Sequence, residues 1–94
     1  MPKQTIARIR DLVRTLSYVV SIHAAEELED DNLTILDLEN IILTGNIVER
    51  QRDSTTREVK SVIRGRTLDS REAETVIKLS SKGTLFVITV YLVR

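Results

Sequence analysis

The stretch that most limits what this chain can become is Thr84 to Val93, reading Thr-Leu-Phe-Val-Ile-Thr-Val-Tyr-Leu-Val. This almost uninterrupted run of β-branched and aromatic residues is too short for a membrane span. It follows the turn signal Lys82-Gly83, so it predicts a buried strand near the centre of a sheet. Strand side chains alternate, which puts Phe86, Ile88, Val90 and Leu92 on one wholly apolar face and Leu85, Val87, Thr89, Tyr91 and Val93 on the other. Only the second face carries hydroxyls. A core-facing side and a side with two polar handles predict a sheet covered by helices on one face and partly open on the other. An active surface is sought on the open face.

The length of 94 residues fits a single domain. A chain of this size buries on the order of 60–65% of its unfolded surface, enough for one modest core. With no cysteine there is no disulfide framework, thiolate metal site or thiol nucleophile. The first residues lack the apolar stretch of a signal peptide, and no apolar run approaches the roughly 20 residues of a membrane span, so the expectation is a soluble cytoplasmic protein. The net charge is zero, with 14 basic and 14 acidic residues, and by itself argues for no polyanionic partner.

Along the chain, Pro2 suits a first helical turn, and Ile6, Ile9, Leu12, Val13 and Leu16 recur at the spacing of an amphipathic helix near 3 to 16. Its other side aligns Lys3, Arg10 and Arg14 in a basic stripe, read foremost as a solvated face. Tyr18 to Ile22 is β-branched and aromatic and predicts extended chain. Ser21 is a plausible N-cap for a short helix over 23 to 30, and Thr34-Ile-Leu-Asp37 has capping-box spacing for a helix over 35 to 44, with Gly45 in the left-handed conformation at its end. This pair is acidic: Glu26, Glu27, Glu29, Asp30, Asp31, Asp37 and Glu39 occur without a Lys or Arg between them. Carboxylates scattered round helices make a solvated surface rather than a metal site, and no metal is predicted.

From Ile47 the period changes to two. Residues 47 to 52, 58 to 65 and 74 to 80 read as strands on short loops, which with 84 to 92 make a four-stranded antiparallel meander. The fold class is therefore α+β, with two to three helices on one face of a mainly antiparallel sheet. If Val59, Ile63, Ile77 and Leu79 face the helices, the other face displays Glu58, Lys60, Val62, Arg64, Val76 and Lys78 beside Thr89 and Tyr91, with Arg50 and Arg52 joining them. Arg50, Arg52, Arg57, Lys60, Arg64, Arg66 and Arg71 make the sheet half basic where the helix half is acidic. A basic face with a tyrosine suits a phosphodiester backbone with unpaired bases. Cross-strand pairing on a solvated sheet face explains the same residues.

Ser21-x-His23-Ala24 ahead of a short helix, a capped helix ending in Thr44-Gly45, a strand carrying Lys60 and ending in Arg64-Gly65, and the closing Ile88-Thr89-Val90-Tyr91 together resemble the bacterial domain of unknown function 4258. The likeness runs from Tyr18 to Leu92, with residues 1 to 17 preceding it as an N-terminal helix. That family looks related to the RelE/ParE-like and BrnT-like toxins, small α+β proteins. The resemblance implies a RelE-like architecture and a toxin that cleaves RNA without a metal or cofactor and is neutralised by an antitoxin from a neighbouring gene. A homodimer is compatible with the sequence. The chain departs from the family pattern at Glu27, where Arg is common, at Asp30-Asp31, which replaces an acidic-basic pair, and at Ser61, where an aromatic often follows the lysine.

Cleavage by a 2′-hydroxyl on the adjacent phosphate needs a proton acceptor, charge stabilisation at the phosphoryl oxygens and a proton donor to the leaving oxygen. Lys60 and Arg64, four apart on one strand and so roughly 13 Å apart in contour, suit separate phosphates. Lys60 is the candidate at the reacting phosphate, with Arg64, Arg57, Arg50 and Lys78 as binding residues. Tyr91 can donate a proton or stack a base, and His23, whose ordinary pKa lies near neutrality, is the acid/base candidate. The same two residues also fit structural roles, a satisfied tyrosine and a hydrogen-bonding residue at a helix start. The rival reading is a non-catalytic module of the same fold that binds nucleic acid or a protein.

Overall fold

The computed structural model describes residues 5–52, 54–56 and 58–94. Pro2, Lys3, Asp53 and Arg57 lie outside the described residues. The elements run α1 (Thr5–Arg14), β1 (Tyr18–Val20), α2 (Ile22–Asp30), α3 (Ile35–Thr44), β2 (Asn46–Arg52), β3 (Val59–Arg66), β4 (Glu72–Leu79) and β5 (Leu85–Leu92). They form a mixed α+β fold whose five-stranded sheet has the order β1-β5-β4-β3-β2. The meander β2 to β5 is antiparallel throughout. The expected four-stranded sheet gains a fifth strand because the extended segment after α1 adds to β5 in parallel, Val19 opposite Phe86. Three residues are too few to show a period, so the segment reads only as extended chain.

Each helix ends where its sequence permits. Ser21 caps α2 by accepting the Ala24 N–H at 3.0 Å. Thr34 and Asp37 form the capping box of α3. Asp37 Oδ1 also accepts the Leu68 N–H at 2.9 Å, which ties α3 to the β3–β4 loop. Gly45 departs from expectation: it is extended, at φ −93° and ψ 175°. Close approach explains the glycine. A Cβ at Gly45 would lie 2.5 Å from the Ile41 carbonyl oxygen, and one at Gly65 only 2.0 Å from the same atom. The end of α3 therefore rests on the backbone of β3. Arg10 closes the joint from α1, donating through Nη2 to the Gly45 carbonyl at 2.7 Å, where a cation also meets the negative end of the α3 dipole. It is not the solvated member of a stripe.

The core lies between the helices and one face of the sheet: Ile9, Val13, Ala24, Leu28, Leu38, Ile41 and Ile42 pack on Ile63, Ala73, Ile77, Leu85, Val87 and Val90. Burying such side chains stabilises the fold by roughly 1.5–3 kcal/mol for each Val, Leu or Ile. The expected faces of β5 are corrected here. Opposite β4, Thr89 pairs with Val76 and Val87 with Ile77, so a bulge at Ile88 breaks the alternation. Leu85 and Val87 therefore point into the core before the bulge, Val90 after it, and Phe86 and Ile88 come to the open face half-buried.

Candidate functional site

The three helices leave the other face of the sheet uncovered, and cross-strand register orders what that face displays. Residues directly opposite one another share a face. One row reads Gln51, Lys60, Lys78, Phe86 and Val19; another reads Asn46, Arg64, Glu74 and Tyr91. Between them lie Val62, Val76 and Thr89.

Gln51, Glu58, Lys60, Lys78 and Ile88 line a cleft of about 250 Å³. Lys78 is half-buried there, its Nζ 3.5 Å from Glu58 Oε1 and 5.6 Å from the centre of the Phe86 ring. Lys60 is exposed and makes no ion pair among the described residues. The cleft thus presents one cation without an ion-pair partner among the described residues, a paired one, an amide and a carboxylate around an apolar floor.

The second row is a closed network. Glu74, almost fully buried, accepts the Arg64 guanidinium through Oε2, from Nε at 2.7 Å and Nη2 at 2.6 Å, and the Tyr91 hydroxyl through Oε1 at 2.5 Å. The hydrogen bond from Tyr91 outweighs the effect of burial, and with Arg64 it holds the Glu74 carboxyl below the usual range. The reciprocal hydrogen bond to Glu74, aided by burial, pushes the Tyr91 phenol up. Tyr91 therefore keeps its proton and spends it on Glu74.

The residues singled out from sequence are not brought to one place. Lys60 and Tyr91 share the open face but belong to rows about 13 Å apart along β3. Neither Tyr91 nor His23 lines the cleft. His23 is 67% exposed near the start of α2, with Nε2 3.4 Å from Glu27 Oε2. Glu27 in turn accepts the Val90 N–H at 2.9 Å and the Thr89 hydroxyl, so its carboxylate satisfies the part of β5 that extends past β1. Arg64 is held by Glu74, Lys78 faces the cleft, and Arg57 lies outside the described residues. Arg50 does not join them. Register sets it opposite Ser61, on the helix side of the sheet. Ser61 is likewise a core position, 1% exposed, so this departure from the family pattern does not touch the open face. Sequence reasoning missed Gln51, Ile88 and Glu74 as parts of this surface. Glu74 was visible in principle as the residue opposite Arg64 once the β3–β4 hairpin is laid in register. Among the described residues, no group of three or more His, Asp or Glu side chains is placed to hold a metal ion.

The family model described as domain of unknown function (DUF4258) matches residues 20–92, most of the chain. The chain belongs to that family. No match is found among the curated proteins or the solved structures. The family segment starts in β1 and ends with β5, so it includes the whole sheet together with α2 and α3. Its glycines at 45 and 65 mark the contact between α3 and β3, a structural part of the pattern. Among the described residues no helix is long and apolar enough to cross a membrane.

Proposed function

We propose that the chain is the toxin of a toxin–antitoxin pair, related to the RelE/ParE-like and BrnT-like toxins, which holds RNA against the open face of its sheet and cleaves it. The observation that supports this reading is the uncovered cleft with Lys60 at its rim. An uncompensated ammonium beside an amide and an apolar floor suits a phosphate with its attached base. Lys60 then stabilises charge at the phosphoryl oxygens as the 2′-oxygen–phosphorus bond forms and the bond from phosphorus to the 5′-oxygen breaks, that oxygen taking its proton from solvent water at the open rim of the cleft. Proton acceptance from the 2′-hydroxyl falls to Glu58, which lines the same cleft, rather than to His23, which does not. Gln51, which lines the cleft beside Lys60, hydrogen-bonds a base edge in this reading.

Expression without an antitoxin tests the reading. The wild type should slow growth and leave RNA with internal cuts, and co-expression of the antitoxin from the neighbouring gene should restore growth. Lys60→Ala should cost on the order of a hundredfold in cleavage rate, about 3 kcal/mol of transition-state stabilisation. Glu58→Gln should lower the rate without weakening RNA binding. One observation favours a second reading, a non-catalytic binding module: the Glu74 network commits the hydrogen-bonding groups of Tyr91 and Arg64 to each other's partner. Folded wild-type protein that binds RNA, leaves it intact and does not slow growth would establish that module.

A further inference from the structure

The two edges of the sheet are built differently. At one edge, β2 carries Glu49, Arg50 and Arg52 and a register shift between Ile47 and Glu49, features that discourage another strand from pairing there. The other edge, β1, has none of these. No charged residue occurs between Arg14 and His23, and three large apolar side chains stand in solvent there: Leu16 at 71% exposure, Val19 at 49% and Ile22 at 80%.

The spacing of those three residues is symmetric. Leu16 and Ile22 lie equally far from Val19, as do Ser17 and Ser21, and Tyr18 and Val20. A twofold axis at Val19 would set β1 antiparallel to itself and bring Tyr18 of each copy opposite Val20 of the other. The backbone is oriented for this. The Ser21 N–H donates to the Val87 carbonyl, toward β5, so alternation along the strand turns the N–H and C=O of Tyr18 and Val20 outward. Under that axis Tyr18 and Val20 of the two copies form the hydrogen-bonded pairs of an antiparallel ladder, with Val19 facing Val19 in the intervening non-hydrogen-bonded position.

We propose that the partner of this edge is a second copy of the chain, joined through β1 into one sheet that runs across both molecules. The interface is isologous, as a twofold dimer requires. Its complementarity is apolar and uncharged: the Val19 pair lies on the axis, and the exposed Leu16, in the turn before β1, and Ile22, at the start of α2, flank the short strand in each copy. An axis perpendicular to the sheet keeps both open faces on the same side. The row holding Lys60, Lys78 and Phe86 ends at Val19, so the two clefts lie along one surface about 30 Å apart, from strand spacings of roughly 4.8 Å. The proposal stands independently of what the clefts bind.

Sedimentation of the full chain across the micromolar range should show a monomer–dimer equilibrium. Val19→Lys, which sets two ammonium groups against each other on the axis at an already exposed position, should weaken it by at least about tenfold. Circular dichroism must show that this variant folds. If it does not, cross-linking decides. The chain has no cysteine, so Val19→Cys introduces a single thiol whose Cα would lie about 4.5 Å from its mate, within disulfide reach. Mild oxidation should then join the copies rapidly, while Leu36→Cys, at an exposed position on α3, should not be joined. A protein that stays monomeric throughout, a dimer unaffected by Val19→Lys, or equal cross-linking of both cysteines overturns the proposal; the first result leaves the edge for the strand of a different protein.

Discussion

Ser61 has a buried Oγ with no hydrogen-bond partner among the described residues. Placing a hydroxyl in the core without a partner costs about 1–3 kcal/mol, so Ser61→Ala should raise stability, by about 1 kcal/mol and several degrees in melting temperature. A thermal melt checks this, and an unchanged or lower midpoint would mean the hydroxyl is satisfied in solution. The position was legible only as a difference from the family pattern; which face it occupied depended on the strand register. Tyr18 and Tyr91 offer a second residue-level test. Burial pushes the Tyr18 phenol up, helped by its hydrogen bond to Glu39, and the Glu74 hydrogen bond does the same for Tyr91. A folded-state value above the unfolded one contributes stability below about pH 10 that is lost as pH rises through the folded-state values. Ultraviolet titration should therefore show both tyrosines ionising above pH 10, with alkaline unfolding close behind. Ionisation at the ordinary value would mean that neither hydrogen bond persists.

Among the elements, the helices were the most legible, because capping chemistry and apolar spacing lie within a few neighbouring residues: α3 has the expected bounds and the expected capping box. The strands were placed to within two residues, but β5 misled. Its alternation is regular in sequence, and only pairing with β4 reveals the bulge at Ile88 that exchanges the faces of its first half. β1 is hidden for a similar reason, since its partner is remote in sequence. The capping box carries its own prediction. Asp37 accepts the backbone N–H groups of Thr34 and Leu68, both at 2.9 Å. Burial alone would raise its carboxyl, yet these bonds and the Thr34 hydroxyl bring it below the usual range. A lowered folded-state value contributes stability above the unfolded pKa, about 4, which is lost as pH falls through the folded value. Asp37→Ala should cost about 2–3 kcal/mol at neutral pH by leaving two donors unpaired, and should flatten the acid limb of the stability curve. Urea titrations at neutral and acid pH measure both, and an equal loss at the two pH values would contradict the linkage.

For the whole molecule, zero net charge conceals an acidic helical half against a sheet rich in Arg and Lys. Counting cations on the sheet overstates its attraction for a polyanion. Arg64 is bound by Glu74, Lys78 is paired with Glu58, and Arg50 lies on the helix side. At the cleft, Lys60 remains as a cation without an ion-pair partner among the described residues, while Arg66, farther along the same face of β3, donates to the Ser70 carbonyl. Single cations can be separated experimentally, because each phosphate neutralised by a lysine contributes about 0.7 to the slope of log affinity against log salt for a single strand. If RNA lies in the cleft, Lys60→Ala should weaken binding for every sequence tested and reduce that slope by about 0.7. Arg64→Ala should behave differently. It removes the cation facing a buried carboxylate, so it should lower the melting temperature while leaving the salt slope of the folded protein near that of the wild type. Binding isotherms at several salt concentrations, below the melting temperature of each variant, distinguish the two. A slope that falls for Arg64→Ala and not for Lys60→Ala would move the nucleic-acid path from the Gln51–Lys60 cleft to the row of Glu74 and Tyr91.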